Sequence, residues 1–159
     1  MKSKMSRMIG IVFCVLIIGV PGGCSSADNS ASSDSVKWYS YKEGIERGKA
    51  EKKNVFVNFY AAWCGYCKKM DNDTFKDARV IKYLSENFIA VKVDTDKEPN
   101  IAKEYYVQGL PTAWFLSKSG EKISNLPGYV PSDMFMNILK YIQSDKYKEM
   151  NFKKFLDSM

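Results

Sequence analysis

Apolar positions along this chain change period several times, and each change marks an element. Residues 54–60, Asn-Val-Phe-Val-Asn-Phe-Tyr, form a short β-branched and aromatic run, the pattern of a buried central strand. Residues 88–93 predict a second strand, closing at Asp94-Thr95-Asp96. After Gly109-Leu110-Pro111, residues 112–116 predict a third strand. Lys118-Ser119-Gly120 then reads as a hairpin turn and residues 122–126 as a fourth strand.

Helical spacing fills the intervals. Residues 39–53 are charged, with scattered apolar positions such as Tyr41 and Ile45, and predict an exposed helix weakened by Gly44 and Gly48. A helix carrying Lys68, Lys69 and Met70 follows Cys64. Asp73 or Asp77 caps a further turn, on which Val80, Ile81 and Leu84 share a face. Pro99 stands at the first turn of a short helix over residues 100–106. Pro131-Ser132-Asp133 opens the final long helix, with Met134, Phe135, Ile138, Leu139 and Ile142 on one face. Residues 147–156, with Phe152, Phe155 and Leu156, fit a C-terminal helix packed on the domain, or a membrane or partner contact.

Strands separated by helices pair in parallel, and a tight turn gives an antiparallel pair. The expected fold class is therefore α/β, a mixed central sheet with helices on both faces. The 159 residues suit one domain with a short appendage, and 45% apolar with 14% aromatic residues is enough to build a core.

The first residues follow a different logic. Lys2, Lys4 and Arg7 precede an apolar run over residues 9–20, a basic region and a core of about 12 residues that match a secretory signal. A permanent membrane helix needs about 20 apolar residues, so export is the better reading. Pro21-Gly22-Gly23-Cys24 resembles the lipobox of bacterial lipoproteins, in which the cysteine is lipidated and becomes the new N-terminus. Leu is usual three residues before that cysteine, where this chain has Pro21, so ordinary cleavage stays open beside lipidation of Cys24. Residues 1–23 are thus expected to be a signal peptide, 24–35 a polar flexible tether, and 36–159 the folded domain. Three of the six net positive charges lie in the signal segment, which has no acid, leaving about +3. With lysines and acids interspersed, that balance gives no support to nucleic-acid binding.

The candidate chemistry lies in Ala61-Ala62-Trp63-Cys64-Gly65-Tyr66-Cys67-Lys68, directly after the most apolar strand and at the start of a helix. Two cysteines three apart on a first helical turn can close a disulfide, the first pointing to solvent and the second inward. Helix N-terminal N–H groups and the helix dipole stabilise a thiolate, so Cys64 is expected to ionise below a free thiol. Redox exchange competes with a structural disulfide, which closes too small a loop to add much stability. It also competes with metal or copper handling, for which the chain has no histidine and only Cys14 and Cys24 besides. No metal and no cofactor beyond the cysteine pair is expected.

Trp63-Cys64-Gly65-Tyr66-Cys67-Lys68, with Gly109-Leu110-Pro111-Thr112 some forty residues later, resembles the thioredoxin superfamily over about residues 36–142. The resemblance implies a thioredoxin-like fold, catalytic Cys64 and Cys67, and a cis Pro111 facing them, with Leu110 presenting backbone to an extended substrate. Trp63, Gly65 and Tyr66 are implied to line the substrate surface. Tyr60 and Phe115 fit either that surface or the core, and Lys68 and Lys69 either the thiolate's surroundings or solvent.

Two departures stand out. Six residues before the first cysteine, where the family buries a proton-accepting aspartate, this chain has Asn58, which takes no proton at neutral pH. The Gly65-Tyr66 pair between the cysteines resembles that of periplasmic disulfide isomerases, whose dimerisation domain has no counterpart here. The expected activity is thiol-disulfide exchange on protein disulfides outside the cytoplasm, in the periplasm or at the cell surface. The expected direction is that of a reductase or isomerase. The chain would act as a monomer on a lipid anchor, with an envelope electron donor or acceptor as partner. A thiol oxidase of the same fold, and a peptide- or copper-binding module without turnover, remain the alternatives.

Overall fold

A computed structural model describes residues 34–159. The predicted signal peptide, Cys24 and all but the last two residues of the tether lie outside the described residues. No helix among the described residues is long and apolar enough to cross a membrane.

Five strands form one sheet in the order β1-β3-β2-β4-β5: β1 (Trp38–Tyr39), β2 (Asn54–Tyr60), β3 (Phe88–Asp94), β4 (Thr112–Leu116) and β5 (Lys122–Pro127). β3 runs parallel to both β1 and β2, whereas β4 is antiparallel to β2 and to β5. The expected α/β class and mixed sheet are the ones found. One expected rule fails, because β4 follows a helix yet pairs antiparallel with β2. That helix, α4 (Pro99–Glu104), has only six residues, and the chain re-enters the sheet from the end at which β3 left it.

Helices α1 (Tyr41–Glu51) and α4 are on one side of the sheet, over Val55, Val57, Phe59, Val91 and Val93. Helices α2 (Gly65–Asn72), α3 (Ala78–Asn87) and α5 (Ser132–Gln143) cover the other, over Phe56, Phe115 and Ala90. Phe56 touches the rings of Phe75, Phe115 and Phe135 at centroid distances of 5.2–5.8 Å, so four aromatic side chains form the centre of this layer.

Several local expectations change. Gly44 and Gly48 are buried, because α1 lies so close to the sheet that a Cβ on Gly44 would sit 2.0 Å from Val91 Cγ2. Tyr39 belongs to β1, and α1 begins after Ser40, whose hydroxyl caps Glu43 N–H. Asp77 is the residue that caps α3, accepting from Arg79 N–H at 2.9 Å, while Asp73 ends α2. Met134 is exposed at the edge of the α5 stripe that buries Phe135, Ile138, Leu139 and Ile142. The C-terminal segment is a 3-10 turn (Lys146–Lys148) and a short α6 (Phe152–Leu156), split where Asn151 caps the second piece. Tyr147 and Phe152 pack on the domain beside Tyr141.

Candidate active site

β2 is the middle strand of the sheet and delivers the chain at Tyr60 to the start of α2. Cys64 is the N-cap of that helix, in extended conformation, and its N–H donates to Ala61 O at 3.1 Å. Its Sγ accepts a hydrogen bond from Cys67 N–H at 3.1 Å. Sulfur here occupies the place of a capping oxygen, facing N–H groups that have no carbonyl partner within the helix. The same N–H and the positive end of the helix dipole face the Cys64 sulfur, an arrangement that favours negative charge there.

Cys64 and Cys67 form a disulfide, with Cα atoms 5.3 Å apart. The two residues are only 5% and 3% exposed, so the expected solvent-facing Cys64 is instead nearly covered. Tyr60 and Leu110 pack against the pair together with buried Ala61. Phe115 is a core residue with no exposure, which decides between its two readings, while Tyr60 is half-buried beside the disulfide.

Trp63 (70% exposed) and Tyr66 (66%) flank the pair, and nothing lies within 4 Å of where a Gly65 Cβ would be. The Leu110–Pro111 peptide is cis. Pro111 O accepts from Gly128 N–H at 2.7 Å, and Thr112 Oγ1 donates to Gly109 O at 2.7 Å, which anchors both ends of the turn. Among the described residues, the Leu110 backbone N–H and C=O make no backbone hydrogen bond. Lys69 places its ammonium 4.6 Å from the Tyr129 ring centroid.

Two side-chain pairings and the unpaired oxygen of Asn58 were not read from the sequence. Trp63 Nε1 donates to Asp96 Oδ2 at 2.9 Å. Parallel pairing of β2 and β3 puts the Asp94-Thr95-Asp96 turn beside the Trp63 loop, and that juxtaposition was the available signal. Lys92 Nζ binds both carboxylate oxygens of Asp71, at 2.7 and 2.9 Å, and stands 4.6 Å from the Tyr60 ring centroid. A lone lysine in the apolar 88–93 run was the visible hint of that pair. Finally, Asn58 is 2% exposed, paired in register with Lys92 and Ala113, and its Oδ1 has no hydrogen-bond partner. Among the described residues no cluster of three His, Cys, Asp or Glu side chains forms a metal site.

The family profile described as thioredoxin-like domain matches residues 41–143. A thioredoxin of Borreliella burgdorferi is 36% identical over 106 residues, covering 66% of this chain and 86% of that protein. The thioredoxin-like protein CITRX, chloroplastic, of Oryza sativa is 39% identical over 106 residues, covering 65% of this chain and 54% of the relative. The chain thus spans about half the length of that relative. A solved thioredoxin from Thermus thermophilus superposes with a TM-score of 0.63 at 30% identity, covering 68% of this chain and 87% of that one.

Proposed function

The chain belongs to the thioredoxin-like family, and from that membership we propose that it is a thiol-disulfide oxidoreductase acting on protein disulfides through Cys64 and Cys67. The observation that carries the proposal is the Cys64–Cys67 disulfide at the N-terminus of α2, with Cys64 Sγ accepting from Cys67 N–H. The form described is the oxidised one. In the reduced form, Cys64 thiolate attacks one sulfur of a substrate disulfide, and the other substrate sulfur leaves as a thiolate that takes up a proton. Cys67 then loses its proton and attacks Cys64 Sγ. The bond to the substrate breaks, the second substrate sulfur leaves as thiolate, and the Cys64–Cys67 disulfide closes. Two electrons have passed from the protein to the substrate, and an electron donor restores the dithiol.

Leu110 supports the substrate side of this reading. Its unpaired backbone groups beside the disulfide suit an extended peptide that adds as a strand, and exposed Trp63 and Tyr66 offer apolar surface next to it. The direction proposed is reductive or isomerising, and the setting is the cell envelope, reached through the signal at residues 1–23 and held by a lipid on Cys24. The partners are protein disulfides and an envelope electron donor.

The test is turnover of a protein disulfide such as that of insulin, with Cys64→Ser and Cys67→Ser variants alongside. Cys64→Ser should abolish turnover, and Cys67→Ser should accumulate a mixed disulfide. Turnover unaffected by Cys64→Ser would overturn the assignment. A reduction potential near ~−270 mV supports the reductive direction, and one near ~−120 mV refutes it.

A further inference from the structure

Lys122 ties the outermost strand of the sheet to the turn that leads into Leu110. It is the first residue of β5, and its side chain reaches the C-terminus of α4. There Nζ donates to Glu104 O at 2.9 Å. It also stands 4.1 Å from the Tyr105 ring centroid, 5.5 Å from that of Trp114 and 5.9 Å from that of Tyr106. A cation suits this place twice, because the last carbonyls of a helix carry partial negative charge and the faces of aromatic rings attract an ammonium.

The turn it holds is a demanding one. Tyr106 N–H donates to Lys103 O and Val107 N–H to Ala102 O, both at 3.0 Å, the paired bonds of a helix stop whose left-handed position is usually glycine. Here that position is Tyr106, at φ 52°. A tyrosine adopts this conformation at a cost that glycine avoids, and its ring, 82% exposed, gains little burial to offset it. The turn is therefore held by its neighbours. Ala102, Tyr105 and Val107 pack in the layer under α1 and α4, and Lys122 closes over the turn from the edge of the sheet.

From Tyr106 the chain reaches Leu110 in four residues, at most about 14 Å. Leu110 packs against two clusters, the one that contains Tyr105 and Trp114 and the one formed by Cys64, Cys67 and Ala61. A displaced turn would thus shift the Leu110 backbone relative to the disulfide. We infer that Lys122 is a positioning residue for substrate binding, which fixes residues 105–110 so that the Leu110 edge meets an extended substrate beside the disulfide. The chemistry of exchange does not pass through Lys122, so its loss acts on KM. The inference deepens the oxidoreductase reading and rests on it for the nature of the substrate.

The experiment uses the full-length chain with Cys14→Ser and Cys24→Ser, so that only Cys64 and Cys67 exchange, with insulin as substrate and dithiothreitol as electron donor. Lys122→Met keeps the reach of the side chain and removes its charge and its donor. KM for insulin should rise about fivefold with kcat unchanged. Lys122→Arg keeps a cation over the rings and should bring KM back to within about twofold of the parent. An unchanged KM, a loss confined to kcat, or an arginine variant no better than methionine overturns the inference. Lys122→Gln, which keeps a donor for Glu104 O without the charge, gives a second reading even where Lys122→Met does not fold. Its KM should rise about twofold, and the parent value overturns the inference. Calorimetric binding of insulin to protein with Cys64→Ser and Cys67→Ser separates the two levels. Turnover with KM and binding unmoved by Lys122→Met refutes the positioning role alone. Weaker binding by the methionine form, with no turnover by the parent, upholds that role while refuting the oxidoreductase reading.

Discussion

Replacing Gly44 by alanine sets two physical effects against each other with opposite signs. In an exposed helix the change should stabilise by about 1 kcal/mol, because glycine is the poorer helix former. In this fold the new methyl would stand 2.0 Å from Val91 Cγ2 and 3.7 Å from Ile89 Cγ2. Carbon atoms pack best at about 3.5–4.0 Å, so α1 or Val91 must move by roughly 1.5 Å. Val91 is wholly buried in β3, and a β-branched side chain has few alternative rotamers. Overpacking of this kind costs up to about 3 kcal/mol, which leaves a net destabilisation of about 2 kcal/mol. Urea unfolding followed by tryptophan fluorescence should show the midpoint lowered by about 1 M at a slope near 2 kcal/mol/M. Val91→Ala removes the atom in the way, so in that background Gly44→Ala should cost far less, giving a coupling of about 2 kcal/mol. A Gly44→Ala protein as stable as its parent, or more stable, would refute the close approach of α1 and β3.

Two further predictions concern charges. Lys92→Met removes the partner of Asp71 and the contacts with the Tyr60 and Trp38 rings, and should destabilise by about 1–2 kcal/mol; an unchanged melting curve would show the pair to be idle. Hydrogen bonds from Arg79 hold the Asp77 carboxyl down to about 2, below its ordinary 3.8. Its ionised form therefore stabilises the fold at every pH above the ordinary value, and that contribution is lost as pH falls through about 2. Asp77→Asn keeps the capping oxygen and should be less stable by ~0.5 kcal/mol at neutral pH, with the gap closing toward pH 2. A gap that persists at pH 2 would mean that the charge is not its source.

The two cysteines were legible because their chemistry is local: a strand, a tight turn and a first helical turn follow one another within residues 54–67. The long strands and the α5 stripe were legible for the same reason, since each carries its own period. β1 was not, because its two residues are too short to show a period and owe their conformation to pairing with β3. Gly44 and Gly48 were misread because helix propensity is counted along one chain segment, whereas the need for glycine comes from the sheet beneath it. Met134 was misread because it sits at the margin of the apolar stripe, where only the tilt of α5 decides which residue meets the core.

The residues around the disulfide show the same division at closer range. Asn58, Lys92 and Ala113 are far apart in sequence and become one row only through the register of three strands. Neither the unpaired amide oxygen of Asn58 nor the Lys92–Asp71 pair can be read from any one segment. The carboxylate next to this row is supplied by Asp71 of α2, four residues after Cys67, and it is engaged by an ammonium. The central strand itself contributes a neutral amide. A carboxylate at position 58 would make release of the Cys67 proton depend on its own ionisation, whereas an amide leaves that proton to sulfur and solvent. What distinguishes this site is therefore the row in register on the central strands, where a buried neutral amide stands between a lysine held by Asp71 and an alanine.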